Sequence, residues 1–300
     1  MKLQKKIAML LGASVLAVTT SSVLAHTQYL LPSTFGLTKN AVTLLAALTE
    51  DDILAPEMPI KEGEYYKVSP SGERVKLDKV VSLKNFAAID IELPENGTYK
   101  ITTGEKAGRI TKMAKIDGRW LMIRTPRPDA EKEGNTKPRA EAPAVKNAAP
   151  EAAPRFIEEA KVPKDAEVIT TETINKLETY LTKGAPSNGA LKITGQGFEV
   201  KPLINPNEIF LDQGASFEVL SDGKPVKDLL FTLYRGGNSY EDKKISSEVK
   251  TDAAGHLTLK FDRPGVYMMK ARYPSVGKGP ITEKPAARSY SYTLTFEVAR

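Results

Sequence analysis

Apolar side chains recur at every second position in several short runs of this chain. Ile89, Ile91 and Leu93 do so, and Leu257, Leu259 and Phe261 repeat the pattern. Alternation of this kind puts one set of side chains on one face of a β-strand. Residues 26–125 carry similar runs at 41–45, 65–68 and 88–93, separated by Ser69-Pro70-Ser71-Gly72 and Pro94-Glu95-Asn96-Gly97. Residues 156–300 carry them at 198–200, 217–220, 229–234, 257–261, 266–271 and 290–298. Strands at this spacing, with polar turns between them, predict antiparallel sandwiches. Residues 172–181 fit two patterns. Ile174, Leu177 and Leu181 suit a helix face, whereas Leu177, Thr179 and Leu181 suit a strand face.

Between the two halves the pattern stops. Residues 126–155 hold six prolines and eight alanines, and Val145 is the only large aliphatic residue. Too little apolar surface is available there to offset the entropy of ordering the chain. The segment reads as a solvated Pro/Ala-rich linker. The organisation expected is therefore a segment 1–25, a sandwich over 26–125, the linker over 126–155 and a second sandwich over 156–300.

The halves echo one another. Ile89, Ile91 and Leu93 align without a gap on Leu257, Leu259 and Phe261, followed by Gly97 on Gly265, Tyr99 on Tyr267 and Ile101 on Met269. The Gly-x-Tyr step looks like the corner of immunoglobulin-type sandwiches, where a tyrosine hydroxyl ties down the preceding loop. A second echo sets Ser71-Gly72-Glu73-Arg74-Val75 beside Asp222-Gly223-Lys224-Pro225-Val226. The fold expected is all-β: two immunoglobulin-like antiparallel β-sandwich domains joined by the Pro/Ala-rich linker.

The first 25 residues have another character. Lys2, Lys5 and Lys6 precede an apolar stretch to Val18, and Val23-Leu24-Ala25 end it with a small residue. This is the order of a secretory signal peptide cleaved after Ala25, with an apolar core too short to span a bilayer. No later segment is long and apolar enough to cross one. The expected location is the periplasm. Removing the signal takes three lysines and no acid, so the formal charge of +6 falls to +3. That balance excludes a nucleic-acid footprint. The chain has no cysteine and only two histidines. Thiolate metal sites, disulfide scaffolds and cysteine nucleophiles are thereby excluded.

These residues resemble a known family. The expected mature start, His26-Thr27-Gln28-Tyr29-Leu30-Leu31-Pro32-Ser33, is similar to the opening of secreted bacterial proteins of the domain-of-unknown-function (DUF) 4198 family. So are Gly197 to Pro206, Gly214, Asp222 to Pro225, Thr251 to Gly255, and Pro264-Gly265-Val266-Tyr267. The resemblance covers both halves and skips the linker. It implies periplasmic immunoglobulin-like sandwiches and a role in metal or small-solute acquisition, since members are labelled nickel or cobalt uptake components. His256 departs from the family pattern, which argues against a family-wide metal site there.

Candidate chemistry centres on His26. Its free amine and Nδ1 could close a chelate ring on one transition metal ion, copper or nickel, and His256 is the one other imidazole able to complete a nitrogen set. The alternation that turns Leu257 and Leu259 inward turns His256 outward. Carboxylates or carbonyls are the other partners open to His26; on a third reading His26 only marks where cleavage falls and binds nothing specific. Asp51 and Asp52, near Glu50, read as solvated acids. Trp120 reads as a core or interface residue after a Gly118-Arg119 turn. No serine elbow, phosphate loop, paired-histidine zinc motif or dinucleotide fingerprint occurs, and no pair of carboxylates is marked for hydrolysis. The expectation is a non-enzymatic periplasmic binding or accessory protein for metal or small-solute uptake, working with an envelope or outer-membrane partner. The alternative is a ligand-free scaffold of the envelope.

Overall fold

The computed structural model describes residues 26–50, 52–60, 63–105, 107–125, 155–241, 246–275 and 280–300. The proposed signal segment and nearly all of the proposed linker lie outside them. Regular structure among the described residues consists of strands and three short 3-10 turns. The first half carries β1 (Thr27–Pro32), β2 (Gly36–Leu37), β3 (Ala41–Thr49), β4 (Met58–Pro59), β5 (Tyr65–Val68) and β6 (Arg74–Leu77). It continues with β7 (Val80–Ser82), β8 (Ala87–Glu92), β9 (Gly97–Thr103), β10 (Ala107–Ile116) and β11 (Arg119–Arg124). Next come β12 (Phe156–Glu158), β13 (Val168–Lys183), β14 (Phe198–Pro202), β15 (Ala215–Ser221) and β16 (Lys224–Pro225). The chain ends with β17 (Leu230–Arg235), β18 (Ser246–Lys250), β19 (His256–Leu259), β20 (Gly265–Tyr273) and β21 (Arg288–Val298). The protein is all-β.

Two cores are built the same way. In the first, β1, β3 and β8 form one layer and β13, β9, β5 and β6 the other. Leu30, Val42, Leu44, Ile89 and Ile91 meet Tyr65, Tyr99, Ile101, Leu177 and Leu181 between the layers. In the second, β14, β15 and β19 face β21, β20, β17 and β18. Phe198, Phe217, Leu257 and Leu259 meet Phe231, Met269, Leu294 and Phe296 there.

The aligned segments fall on equivalent elements. In each half the strand before the corner (β8, β19) lies in the smaller layer, and the strand after it (β9, β20) lies in the larger sheet. The Tyr99 hydroxyl donates to the Glu95 carbonyl at 2.9 Å and accepts the Glu95 N–H at 2.8 Å. The Tyr267 hydroxyl donates to the Arg263 carbonyl at 2.7 Å. Gly97 and Gly265 adopt φ of 132° and 140°, where a side chain would be strained. The second echo has no such equivalence. Gly72 turns between β5 and β6, whereas Gly223 turns between β15 and β16.

Residues 172–181 are strand, within β13. This strand serves both halves. Its C-terminal part pairs with β9, bringing Leu181 opposite Tyr99, and its middle runs parallel to β21. The first core is thus completed by a strand from beyond residue 155, so the cores do not divide where the composition changes. The strands that flank the Pro/Ala-rich stretch also lie together: β11 and β12 pair in parallel, with Met122 opposite Phe156. Trp120, on β11, is buried, and its backbone N–H donates to the Ile281 carbonyl at 2.7 Å.

A third contact joins the halves. The opposite face of β1 and β3 packs Tyr29 and Ala47, with Ile53, against Met268 of β20. This explains the nearly unbroken apolar run 41–48, because β3 is covered on both faces. The unpaired edge of β1 is satisfied by side chains. The Thr293 hydroxyl donates to the Gln28 carbonyl at 3.0 Å, and the Thr295 hydroxyl donates to the Leu30 carbonyl. An edge covered in this way is closed to strand addition by another chain.

Candidate metal centre

His26 stands immediately before β1. Antiparallel pairing of Thr27 with Thr49 brings it beside Glu50, just past the end of β3. The loop that follows folds back, and the Glu57 N–H donates to the Leu48 carbonyl at 3.0 Å. His26 Nε2 then lies 3.3 Å from Glu57 Oε2 and 3.5 Å from Glu50 Oε1. One ligand atom from each of the three residues lies within 4.8 Å of the others. The site is open, with the His26 side chain 34% exposed.

The carboxylates are partly pre-positioned. Glu57 Oε1 accepts the Glu50 N–H at 2.8 Å and the Thr49 hydroxyl at 3.2 Å, which leaves Oε2 turned toward the imidazole. Asp52 has a different task and is not solvated. Its carboxylate is buried and accepts the N–H groups of Leu54 and Gly237, each at 2.9 Å, and of Ser239 at 3.2 Å. Burial alone would raise its pKa, but these N–H donors outweigh it and hold the carboxyl below the usual aspartate range. Tyr29 lies in the adjoining core with its hydroxyl buried and, among the described residues, without a hydrogen-bond partner. Burial first, then the charges of Asp52 and Glu57, push its ionisation far above the ordinary tyrosine value.

One imidazole nitrogen and two carboxylates form a donor set able to coordinate a divalent transition metal ion. The nitrogen facing the carboxylates is Nε2, not the Nδ1 that would share a chelate ring with the amine. His256 is not part of this group. It begins β19, in the smaller layer of the second half, with Nδ1 3.6 Å from Asp252 Oδ2. The Asp252 carboxylate caps that turn, accepting the N–H groups of His256 at 2.8 Å and Ala254 at 2.9 Å. His26 lies against the outer face of the other layer, so the second core separates the two imidazoles. Asp51 lies outside the described residues.

Glu57 carries no sequence signal of this role, because it reaches Glu50 only through the return of the 50–57 loop. A groove of about 370 Å³ beside the site was equally hidden. Its walls include His26, Thr27, Asn175, Thr232, Lys270 and Arg272.

Among the described residues no helix is long and apolar enough to cross a membrane. No curated protein matches the chain. Among solved structures, the D0–D1 domain of intimin aligns at 10% identity over 90% of this chain and 97% of its own, with a TM-score of 0.22. A DUF4785 family protein from Legionella pneumophila aligns at 10% identity over 88% of this chain and 54% of its own, with a TM-score of 0.21. Escherichia coli alpha-2-macroglobulin activated by porcine elastase aligns at 10% identity over 92% of this chain and 31% of its own, with a TM-score of 0.21. A model of the domain of unknown function DUF4198 matches residues 23–275, and the chain belongs to that family.

Proposed function

We propose that this protein is a periplasmic metal-binding accessory of the cell envelope, built of two immunoglobulin-like sandwiches and serving uptake of a transition metal ion. The observation that carries the reading is the meeting of His26 Nε2 with the Glu50 and Glu57 carboxylates. Nitrogen and oxygen donors in this ratio suit nickel, cobalt, copper or zinc better than calcium or magnesium. Three protein ligands leave coordination positions open, and the exposed site allows rapid loading and release. Those properties fit delivery to an envelope or outer-membrane uptake protein. The equivalent strand order and paired tyrosine corners support the immunoglobulin-like reading of both halves.

A second reading, a ligand-free scaffold, draws on the short strand β7. Val80 and Val81 are exposed there, Val81 by 59%. Edge strands of this kind can pair with a partner's strand. Metal analysis of protein isolated from the periplasm, followed by nickel and copper titration, separates the readings. Bound metal that is lost on His26→Ala supports the first. Metal-free protein without affinity for either ion supports the second.

A further inference from the structure

The groove beside the metal centre has a polar floor set by strand register. On β20, Met269 and Ala271 point into the second core, which turns Lys270 and Arg272 to the outer face. Across the sheet Arg272 pairs with Ser291, and Ser291 pairs with Asn175. Lys270 stands opposite Thr293 on one side and Thr232 on the other. The floor thus places two cations among hydroxyl and amide groups, with His26 on the rim.

Lys270 Nζ donates to the Thr27 hydroxyl at 3.1 Å and lies 4.8 Å from the Tyr234 ring centroid. Among the described residues, neither it nor Arg272 forms an ion pair with a carboxylate. Arg272 is exposed at the groove, and partial desolvation of its guanidinium, then the neighbouring Arg109 guanidinium, disfavour its charge and lower its pKa. A bound anion would relieve that repulsion. The two carboxylates at His26 neutralise a divalent ion, so the surplus positive charge alongside is left for the ion's own ligands.

We infer that the groove is a subsite for a small multicarboxylate anion, held by Lys270 and Arg272 and placed to fill the coordination positions left open by His26, Glu50 and Glu57. The ion would then be carried as its carboxylate chelate. Guanidinium and ammonium groups recognise carboxylates directly. A carboxylate can at the same time donate an oxygen to a transition metal. The coordination part of this inference rests on the proposed metal-binding reading. The anion subsite itself does not.

Citrate is a suitable probe, titrated by calorimetry into the metal-free mature chain. Citrate should bind the unaltered protein, bind at least about tenfold more weakly to the Lys270→Gln/Arg272→Gln double variant, and bind unchanged to Lys260→Gln, a cation outside the groove. Thermal unfolding of each variant confirms that it is folded. No citrate binding, equal binding by the double variant, or inorganic phosphate binding as tightly as citrate would overturn the assignment. A nickel titration of the same unaltered sample reads the metal proposal separately. Citrate binding without nickel binding leaves the subsite standing and removes the metal reading.

Discussion

The Asp52 carboxylate accepts the backbone N–H of Gly237 at 2.9 Å, across the seam between the two halves. Ser239 adds its N–H and its hydroxyl, each at 3.2 Å. The loop that supplies Glu50 and Glu57 is therefore fastened to the second half by its own third acid. Asp52→Ala would leave buried N–H groups without an acceptor. It should lower stability by about 2–4 kcal/mol, measured by urea unfolding. A loss below about 0.5 kcal/mol would mean that the seam does not depend on this anchor.

The two tyrosine corners make a paired prediction. Tyr267→Phe removes one hydrogen bond to a backbone carbonyl and should cost about 1 kcal/mol. Tyr99→Phe also strands the Glu95 N–H, which donates to the hydroxyl at 2.8 Å, and should cost more, about 2 kcal/mol. Chemical denaturation of the two variants gives the order directly, and the reverse order would contradict the geometry.

Alkaline pH should destabilise the fold through its buried phenols. Burial pushes the Tyr65 hydroxyl up to about 12. Tyr180 and Tyr292 are raised by burial and by the charge of Glu178. In the unfolded chain these phenols ionise near pH 10. Their contribution is complete below that value and is lost as pH rises toward the folded value, for Tyr65 by on the order of 2–3 kcal/mol. Ultraviolet titration should show these tyrosines ionising only as the fold is lost. Smooth ionisation of every tyrosine near pH 10 in the folded protein would contradict their burial.

Two modes of using His26 are separable. Coordination through Nε2 does not involve the amine, so one alanine added before His26 should leave nickel affinity within about twofold. A chelate through the amine and Nδ1 would be destroyed by the same addition. Calorimetry on the chain beginning at His26, with and without the added alanine, decides between them.

Much of the fold is legible in the residues, and the reasons for the rest are local. The Ile89-to-Ile101 and Leu257-to-Met269 segments display their strand, corner and strand because β8 and β19 each keep one face wet, and in β9 the polar Thr98, Lys100 and Thr102 alternate with Tyr99 and Ile101 although that strand is largely buried. The ambiguity at 172–181 has the opposite cause. From Leu177 to Lys183 every residue of β13 is buried, so alternation vanishes where the strand is covered on both faces. Even Lys183 is enclosed there, donating to the carbonyls of Leu93 at 2.8 Å and Pro94 at 2.6 Å. The shared strand also escapes a reading that divides domains by composition. At the site, His26 stands out through its place after Ala25, whereas Glu57 and Lys270 approach it only through a loop return and an inter-sheet packing that no local pattern records. The outward direction of His256 was legible in the Leu257 and Leu259 alternation, and the structure places it away from His26.

On the proposed function, His26, Glu50 and Glu57 together hold one transition metal ion. The decisive measurement is a nickel titration of the chain beginning at His26 beside its His26→Ala variant. Saturation should come at about one equivalent, with affinity lowered at least about tenfold in the variant. Identical isotherms for the two proteins, or no heat and no retained nickel in the native chain, would contradict it.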